Sequence, residues 1–375
     1  MLNRERGKEI LEKNTLKYMF ITRTLAGGGA ERFVATFSSY MAEKGCDVSV
    51  VSWLKSDEDY ELSKKVKLKY LPDRKENLIR RVKRITDLRK EIRQYNPDIV
   101  VPFMDGVMFC TLLALNGEKG KLVYTVRVSP WDRGGNLYTN FMEDMVALFS
   151  DAIMIQTKEQ ADFFYKYKNK IYVVPNPIND RFVENKKAFY TDKISKIVMV
   201  GRLDKQKNYE LALKSLKKLL RRYPYLELDV YGDGIEKDNL KRKIEMLGIA
   251  DNCRLNGRVD RIEGILVEKD LFLMTSDFEG MPNALMEAMA LGLPCISSDC
   301  KTGPSELIRS GETGLLFKKG DMRSLCYALL EMIRDPSKAA EMGKNARNHI
   351  LNQYTAENTY QSFERMCNSL IQNGG

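Results

Sequence analysis

A chain of 375 residues, 43% apolar and 30% charged, is longer than one hydrophobic core ordinarily serves and reads as two soluble globular domains. Seven scattered cysteines and a single histidine form no CxxC pair or Cys/His cluster, which argues against a disulfide scaffold or zinc module and fits a reducing cytosol. The charged start MLNRERGKEILEKN has no apolar segment of the kind a secretory signal needs, and no apolar run reaches the length of a membrane span, so any membrane contact is expected to be peripheral.

The first strand is "LKYMFITRTL". The helix that follows, "AGGGAERFVATFSSYMAEKG", has Phe33, Val34, Phe37 and Met41 at helical spacing and Gly45 as its stop. Between them lies Gly27-Gly28-Gly29, where a backbone free of side chains lets a ligand approach and the helix N-terminus favours an anion. A ligand-free tight turn competes with that reading, and the absence of GxGxxG disfavours a dinucleotide. After the strand "CDVSVVSWL", the acidic run Asp57–Asp59 imitates a metal-binding DxD, but it sits in a charged loop without supporting context.

Residues 61–90 carry +8 of the net charge of +10. Within "NLIRRVKRITDLRKEIRQY", Ile79, Val82, Ile85, Leu88 and Ile92 give a helical apolar stripe, with Arg80, Arg81, Lys83, Arg84, Arg89, Lys90 and Arg93 on the other faces. Such a helix is either a solvated surface or a site for an anionic partner. The candidate partners are a lipid surface, a diphosphate-bearing acceptor and nucleic acid, the last weakest because no stacking aromatics or known module accompany the charge.

Strands "PDIVVPF", "KLVYTVRV", "DAIMIQT" and "IYVVPNP" alternate with helical stretches, and "VPNPINDRFVENKKAFYTDK" reads as an interdomain linker. The alternation restarts with "KIVMVGRL", "LELDVYGDG", "CRLNG", "DLFLMTS", "PCISSD" and "GLLF". The expected fold class is therefore α/β, two Rossmann-like domains in tandem with ligands at the carboxyl ends of their strands. After "KIVMVGRL", Arg202 and Lys207 fall just before a helix and suit a diphosphate, one as a fork and one as a point charge. A solvated basic loop is the plain alternative. After "DLFLMTS" comes "SDFEGMPNALMEAMALGLP", in which Glu279 precedes a helix and Glu287 lies within it. Pro282 suits the first helical turn, the amides over 282–284 suit a phosphate, and the carboxylates suit sugar and ribose hydroxyls. Glu287 as an exposed helix residue is weakened by its apolar neighbours on both sides.

The ordered set "GGGAER", "VGRLDKQKN", "VYGDG", "LNGRV", "SDFEGMPNALMEAMALGLPCISSD", "GPSEL" and "GETGLLF" resembles the family-4 retaining glycosyltransferases of GT-B fold. The likeness covers nearly the whole chain and is greatest to bacterial enzymes extending polyprenyl-diphosphate-linked or capsular glycans. It implies an acceptor-binding domain over 1–180, a nucleotide-sugar domain over 181–355, a cleft between them, and a helix over 356–371 returning to the first domain. It implies that Arg202 and Lys207 hold the donor diphosphate in place of a metal and that Glu279 sits near the transferred sugar. Gly28, Gly29, Gly257, Arg258, Gly280, Met281, Pro282, Asn283, Ala284 and Glu287 would complete the donor site, with Glu287 on the ribose.

Relatives often place a histidine where this chain has Arg127, which would instead meet a phosphate of donor or acceptor. His349 looks structural. The implied reaction is retaining transfer of a hexose or N-acetylhexosamine from a nucleotide sugar, UDP by resemblance, to a glycan acceptor, polyprenyl-diphosphate-linked by preference. No metal or other cofactor and no nucleic acid is expected. Arg80, Arg81, Lys83 and Arg84 would meet the anionic inner face of the cell membrane or the acceptor. An epimerase of the same fold and a non-catalytic sugar-nucleotide binder are the alternatives.

Overall fold

The computed structural model describes residues 16–72, 78–132, 137–185, 187 and 192–372, with the side chains of 78–81 outside the description. Two compact units emerge among the described residues, one within 16–125 and 137–152, the other within 126–132 and 153–372. Each is a parallel α/β unit, as the alternation of elements predicts.

The first unit holds strands β1 (Lys17–Thr22), β2 (Asp47–Ser52), β3 (Lys67–Tyr70), β4 (Ile99–Pro102) and β5 (Lys121–Thr125), in the order β3-β2-β1-β4-β5. Strands β1 and β4 read as near-continuous apolar runs because both faces of a parallel sheet are covered. Phe20, Phe33, Phe37 and Phe103 form one aromatic cluster between the sheet and the helix Gly29–Glu43. The helices Leu78–Tyr95, Asp105–Leu115 and Leu137–Phe149 pack side by side in that order. The first two are successive right-handed crossovers leading to β4 and β5, which places them on one face of the sheet.

The basic helix departs from its expected face. Leu88 and Ile92 are buried, but Val82 is 60% exposed, and Arg84 is 7% exposed with its guanidinium 5.0 Å from the Trp53 ring centroid. The buried row is thus 84, 88 and 92, an exact four-residue step, and Val82 lies off it. Arg84 is a packing residue, its charge held over an aromatic face, and not one of the surface cations. Lys83, Lys90 and Arg93 are exposed. The side chains of Arg80 and Arg81 lie outside the described residues.

Strands β6 (Ala152–Ile155) and β7 (Ile171–Val173) pair in parallel, with Ile153 opposite Ile171. The second unit's sheet contains β8 (Lys196–Val200), β9 (Glu227–Tyr231), β10 (Cys253–Gly257), β11 (Leu271–Met274), β12 (Cys295–Asp299) and β13 (Leu315–Lys318), ordered β10-β9-β8-β11-β12-β13. Chain order reverses between β8 and β11, where an open α/β sheet forms a crevice at its strand ends. The segments 126–132 and 153–180 cluster here, before the sequence boundary at 180/181, where Arg127 and Gln156 both bond to Asn176 and Asn176 to Asn283. The last helix, Ala356–Gln372, lies against β7, and the hydroxyls of Tyr172 and Ser369 are 2.9 Å apart.

Candidate active site

Two loops meet at the reversal point of the second sheet. The loop after β8 runs from Gly201 to Asn208, and the loop after β11 from Thr275 to Pro282. They are stitched together by main-chain recognition. The Gln206 side-chain amide donates to the Phe278 carbonyl (2.7 Å), the Asp277 N–H to the Gln206 carbonyl (2.8 Å), and the Thr275 hydroxyl to the Lys207 and Asn208 carbonyls (2.9 and 3.0 Å). Asn208 takes the left-handed conformation (φ 46°) between the short turn Lys205–Lys207 and the helix Tyr209–Leu220. Asparagine tolerates that region, and here its side chain is fixed by donating to Asp277 (3.0 Å).

The result of this stitching is an ion pair. Lys207 Nζ stands 2.5 Å from Glu279 Oε1, with the lysine side chain 19% exposed and the glutamate 7%. A second anchor holds the glutamate, whose carbonyl accepts the buried Thr302 hydroxyl. An ammonium has three donors, so one contact to Glu279 fixes its direction and leaves two for an anion. Arg202 behaves differently. Its side chain is 71% exposed, 3.2 Å from Asp204 and 3.5 Å from the Gln206 side-chain oxygen, a cation at the mouth of the crevice.

Beyond Glu279 the chain turns into the helix Asn283–Ala290. Pro282 is the residue before the helix, extended at φ −76° and ψ 105°, one position earlier than expected. Its carbonyl accepts the first helical bond, from Met286 N–H (3.1 Å). Proline carries no N–H, so the first-turn donors are those of Asn283, Ala284 and Leu285, shifted by one from the expected 282–284. Leu285, Met286, Met289 and Ala290 are at most 1% exposed, and Glu287 in their midst is 5% exposed. The helix is covered on both sides, and Glu287 is not a solvated surface residue.

Close backbone approach sets the turn. A side chain at Gly280 would run into the Arg127 carbonyl and would come within 2.5 Å of the Gln156 amide oxygen. One at Gly303 (φ 93°) would strike the Gly280 carbonyl and sit 2.8 Å from Pro282 Cδ. Arg127 reaches this layer through Asn176. Its Nη1 and the Gln156 Nε2 both donate to Asn176 Oδ1 (2.9 and 2.8 Å), while Asn176 Nδ2 donates to Asn283 Oδ1 (2.8 Å). Burial pulls the Arg127 guanidinium down to about 9. Arg127 therefore positions the helix start as well as offering charge.

The structure brings Arg202, Lys207, Glu279, Gly280, Met281, Pro282, Asn283, Ala284, Glu287 and, by way of Asn176, Arg127 into one region. Gly257 (φ 74°) ends β10, and Arg258 beside it is exposed. Gly28 and Gly29 lie in the other unit, after β1 and so at that sheet's own reversal between β1 and β4. Gly28 caps the helix Gly29–Glu43, and a side chain there would collide with the buried Glu31 carboxylate. Among the described residues no group of three His, Cys, Asp or Glu side chains could hold a metal. In the DED run, Asp59 accepts from the Ser56 N–H (3.1 Å) and the Tyr70 hydroxyl (2.9 Å), a structural use. His349 packs edge-on against Tyr354 and is held below the usual histidine range, chiefly by burial.

Gln156, Asn176, Gln206 and Thr302 were missed by sequence reasoning. Asn176 stands in the NP step of the presumed linker, and the others carry no local signal.

Open parallel α/β sheets form a class that takes its ligands at strand ends, where a helix N-terminus favours an anion, and this layout has a paired cation and carboxylate in that place. Comparison with known proteins narrows the class. A family model described as Glycosyltransferase Family 4 matches residues 27–182, and one described as Glycosyl transferases group 1 matches 180–349. An uncharacterised glycosyltransferase of Haemophilus influenzae is 26% identical over 336 residues, 88% of this chain and 93% of that one. A GalNAc-α-(1→4)-GalNAc-α-(1→3)-diNAcBac-PP-undecaprenol α-1,4-N-acetyl-D-galactosaminyltransferase of Campylobacter jejuni is 24% identical over 342 residues, with 88% and 93% covered. The crystal structure of Anabaena HepE in complex with UDP and glucose superposes with a TM-score of 0.80 at 17% identity, over 94% of this chain and 100% of that one. The chain belongs to the family-4 glycosyltransferases of GT-B fold.

Proposed function

We propose that this glycosyltransferase moves a hexose or N-acetylhexosamine, with retention of anomeric configuration, from a UDP-sugar to a polyprenyl-diphosphate-linked glycan in cell-surface polysaccharide synthesis. The Lys207–Glu279 pair beside the first turn of the helix Asn283–Ala290 carries the reading. In front-face displacement the acceptor hydroxyl attacks the anomeric carbon on the side from which the diphosphate departs. The carbon–oxygen bond to phosphate breaks, and the departing oxygen takes the hydroxyl proton. Charge grows on that oxygen. Lys207, Arg202 and the amides of Asn283, Ala284 and Leu285 are the groups that would meet it, at positions fixed before reaction. Glu279 would hold sugar hydroxyls with the carboxylate oxygen not engaged by Lys207, and Glu287 the ribose diol. No metal is required in this scheme.

The nucleotide is supported by the UDP in the HepE complex, and the acceptor by the undecaprenyl-diphosphate substrate in the name of the Campylobacter relative. Work at the inner face of an anionic membrane follows from such an acceptor, and no helix among the described residues is long and apolar enough to cross a membrane. A panel of nucleotide sugars screened for thermal protection, followed by transfer to a polyprenyl-diphosphate glycan with and without EDTA, tests the scheme. UDP-sugars should protect and transfer should survive chelation. Transfer that strictly needs added manganese or magnesium would overturn it.

A further inference from the structure

The helix Leu137–Phe149 presents an apolar stripe to solvent. Leu137 is 89% exposed, Tyr138 57%, Phe141 59% and Phe149 57%. Positions 137, 141 and 145 follow one another at four-residue steps, with Met145 half-buried, and 138 and 149 flank them. The opposite side of the helix is spent on the core through Val146 and Ala147. Large side chains clustered in this way on an otherwise charged chain mark a contact surface, since scattered single residues need no such explanation and a stripe does.

The occupant is indicated by what lies beside the stripe. The helix packs on Asp105–Leu115, which exposes Leu113 (40%) and in turn packs on the basic helix Leu78–Tyr95. From that neighbour Lys83, Lys90 and Arg93 reach solvent, Arg93 in a surface ion pair with Glu118 (2.7 Å) that a headgroup phosphate would have to compete with, and Val82 is 60% exposed among them. Aromatic and aliphatic groups next to lysine and arginine form the two-part signal of an interfacial helix layer. The apolar groups enter the headgroup boundary, and the cations meet anionic lipid. A protein partner would have to supply an acidic surface beside an apolar one, and a second copy would bring like charge against like.

We propose that Leu137, Tyr138, Phe141 and Phe149 insert into an anionic bilayer surface while Lys83, Lys90 and Arg93 hold the headgroups, so that the first unit docks on the membrane through this layer. The inference gives the membrane contact of the proposed function its residues and rests on that reading for its purpose, though not for its test.

The test compares the full chain with Leu137→Ser/Phe141→Ser and with Lys83→Gln/Lys90→Gln/Arg93→Gln in sedimentation with phosphatidylglycerol/phosphatidylcholine vesicles and with pure phosphatidylcholine. Both positions of the first variant are exposed, so its thermal midpoint should match the wild type. Binding to the mixed vesicles should weaken at least about 10-fold in each variant, because one loses two apolar side chains that would leave water and the other loses three cations that would meet anionic headgroups. High salt should weaken the wild type and the serine variant but leave the charge variant nearly unmoved. UDP protection, which reads the donor site, should be unchanged in both, so a failure of docking and a failure of the donor assignment are told apart. Wild-type binding by the serine variant overturns the proposal. So does a concentration-dependent dimer that this variant abolishes without loss of vesicle binding.

Discussion

A double-mutant cycle at Lys207 and Glu279 separates the catalytic use of this ion pair from its structural use. The 2.5 Å contact is between side chains 19% and 7% exposed, so removal of one partner strands the other in a poorly solvated place. Breaking a buried pair in this way costs about 3–5 kcal/mol, and the partial exposure of the lysine argues for the lower end, about 3 kcal/mol, in Lys207→Met. Glu279→Gln keeps an acceptor for the ammonium and should cost about 1–2 kcal/mol. In the double variant neither charge is stranded, and its cost should fall to about 2 kcal/mol, which leaves a coupling of about 2–3 kcal/mol. Turnover should follow another course. In the proposed scheme Lys207→Met loses a preorganised charge at the leaving group, worth roughly 100-fold or more in rate, and neutralising its partner does not restore that charge. Urea unfolding and single-turnover transfer on the same four proteins provide both readings. If the double variant regained wild-type turnover along with its stability, Lys207 would be a counter-ion for Glu279 and nothing more. Strictly additive stabilities would mean that the pair is energetically silent.

Arg202→Ala should leave stability within about 0.5 kcal/mol, since the side chain is 71% exposed, and still lower turnover roughly 100-fold. Equal losses in both, seen by denaturation and by rate, would recast it as structural. Gly280→Ala forces a methyl against the Arg127 carbonyl and the Gln156 amide and should cost about 1–3 kcal/mol in unfolding free energy. UDP protection should weaken with it, because the same turn aims the helix start. Glu306 is raised above the usual carboxylate range by burial and by the nearby charge of Glu159, against an opposing N–H from Lys158. A raised acid favours the folded state below its unfolded value of 4.5 and loses that contribution as pH rises through the folded value. Glu306→Gln should therefore raise the thermal midpoint at pH 7, with a gain that shrinks toward pH 4.5. A gain independent of pH would refute the electrostatic cause.

Much of the fold was legible because parallel strands covered on both faces leave apolar runs that no loop imitates, as "KIVMV" and "LFLM" do here. Arg202, Lys207, Glu279 and Glu287 could be picked out because each follows a strand end or sits in a helix whose neighbours are too apolar for a solvated face. The basic helix was harder. Periodicity gives a stripe but not its centre, and Trp53, thirty-one residues earlier, draws Arg84 inward by a ring contact that no local window contains. The supporting shell was illegible for a related reason. Asn176 matters because three separate segments converge on its amide, and convergence of Arg127, Gln156 and Asn283 is a property of topology.

The pairing of Lys207 with Glu279 also determines how tightly the site should hold its product. A carboxylate beside the ammonium aims it but offsets much of its field, and Arg202 at the mouth carries a carboxylate partner of its own, Asp204 at 3.2 Å. A phosphate taking the lysine's remaining donors at ordinary hydrogen-bond lengths would sit about 6 Å from the Glu279 carboxylate. At an effective dielectric of about 20 that repulsion amounts to about 3 kcal/mol before screening, and to nearer 1 kcal/mol with water at the mouth. Glu279→Gln should accordingly bind UDP more tightly, by roughly 5-fold or more, while transferring sugar more slowly because the sugar hydroxyls lose a charged acceptor. Tight product and slow chemistry in one variant would mark Glu279 as a group that trades ground-state affinity for release and orientation. Titration calorimetry with UDP reads the first quantity without any acceptor. Weaker UDP binding by Glu279→Gln would mean that the glutamate is needed to hold Lys207 in place, and the field argument would fail.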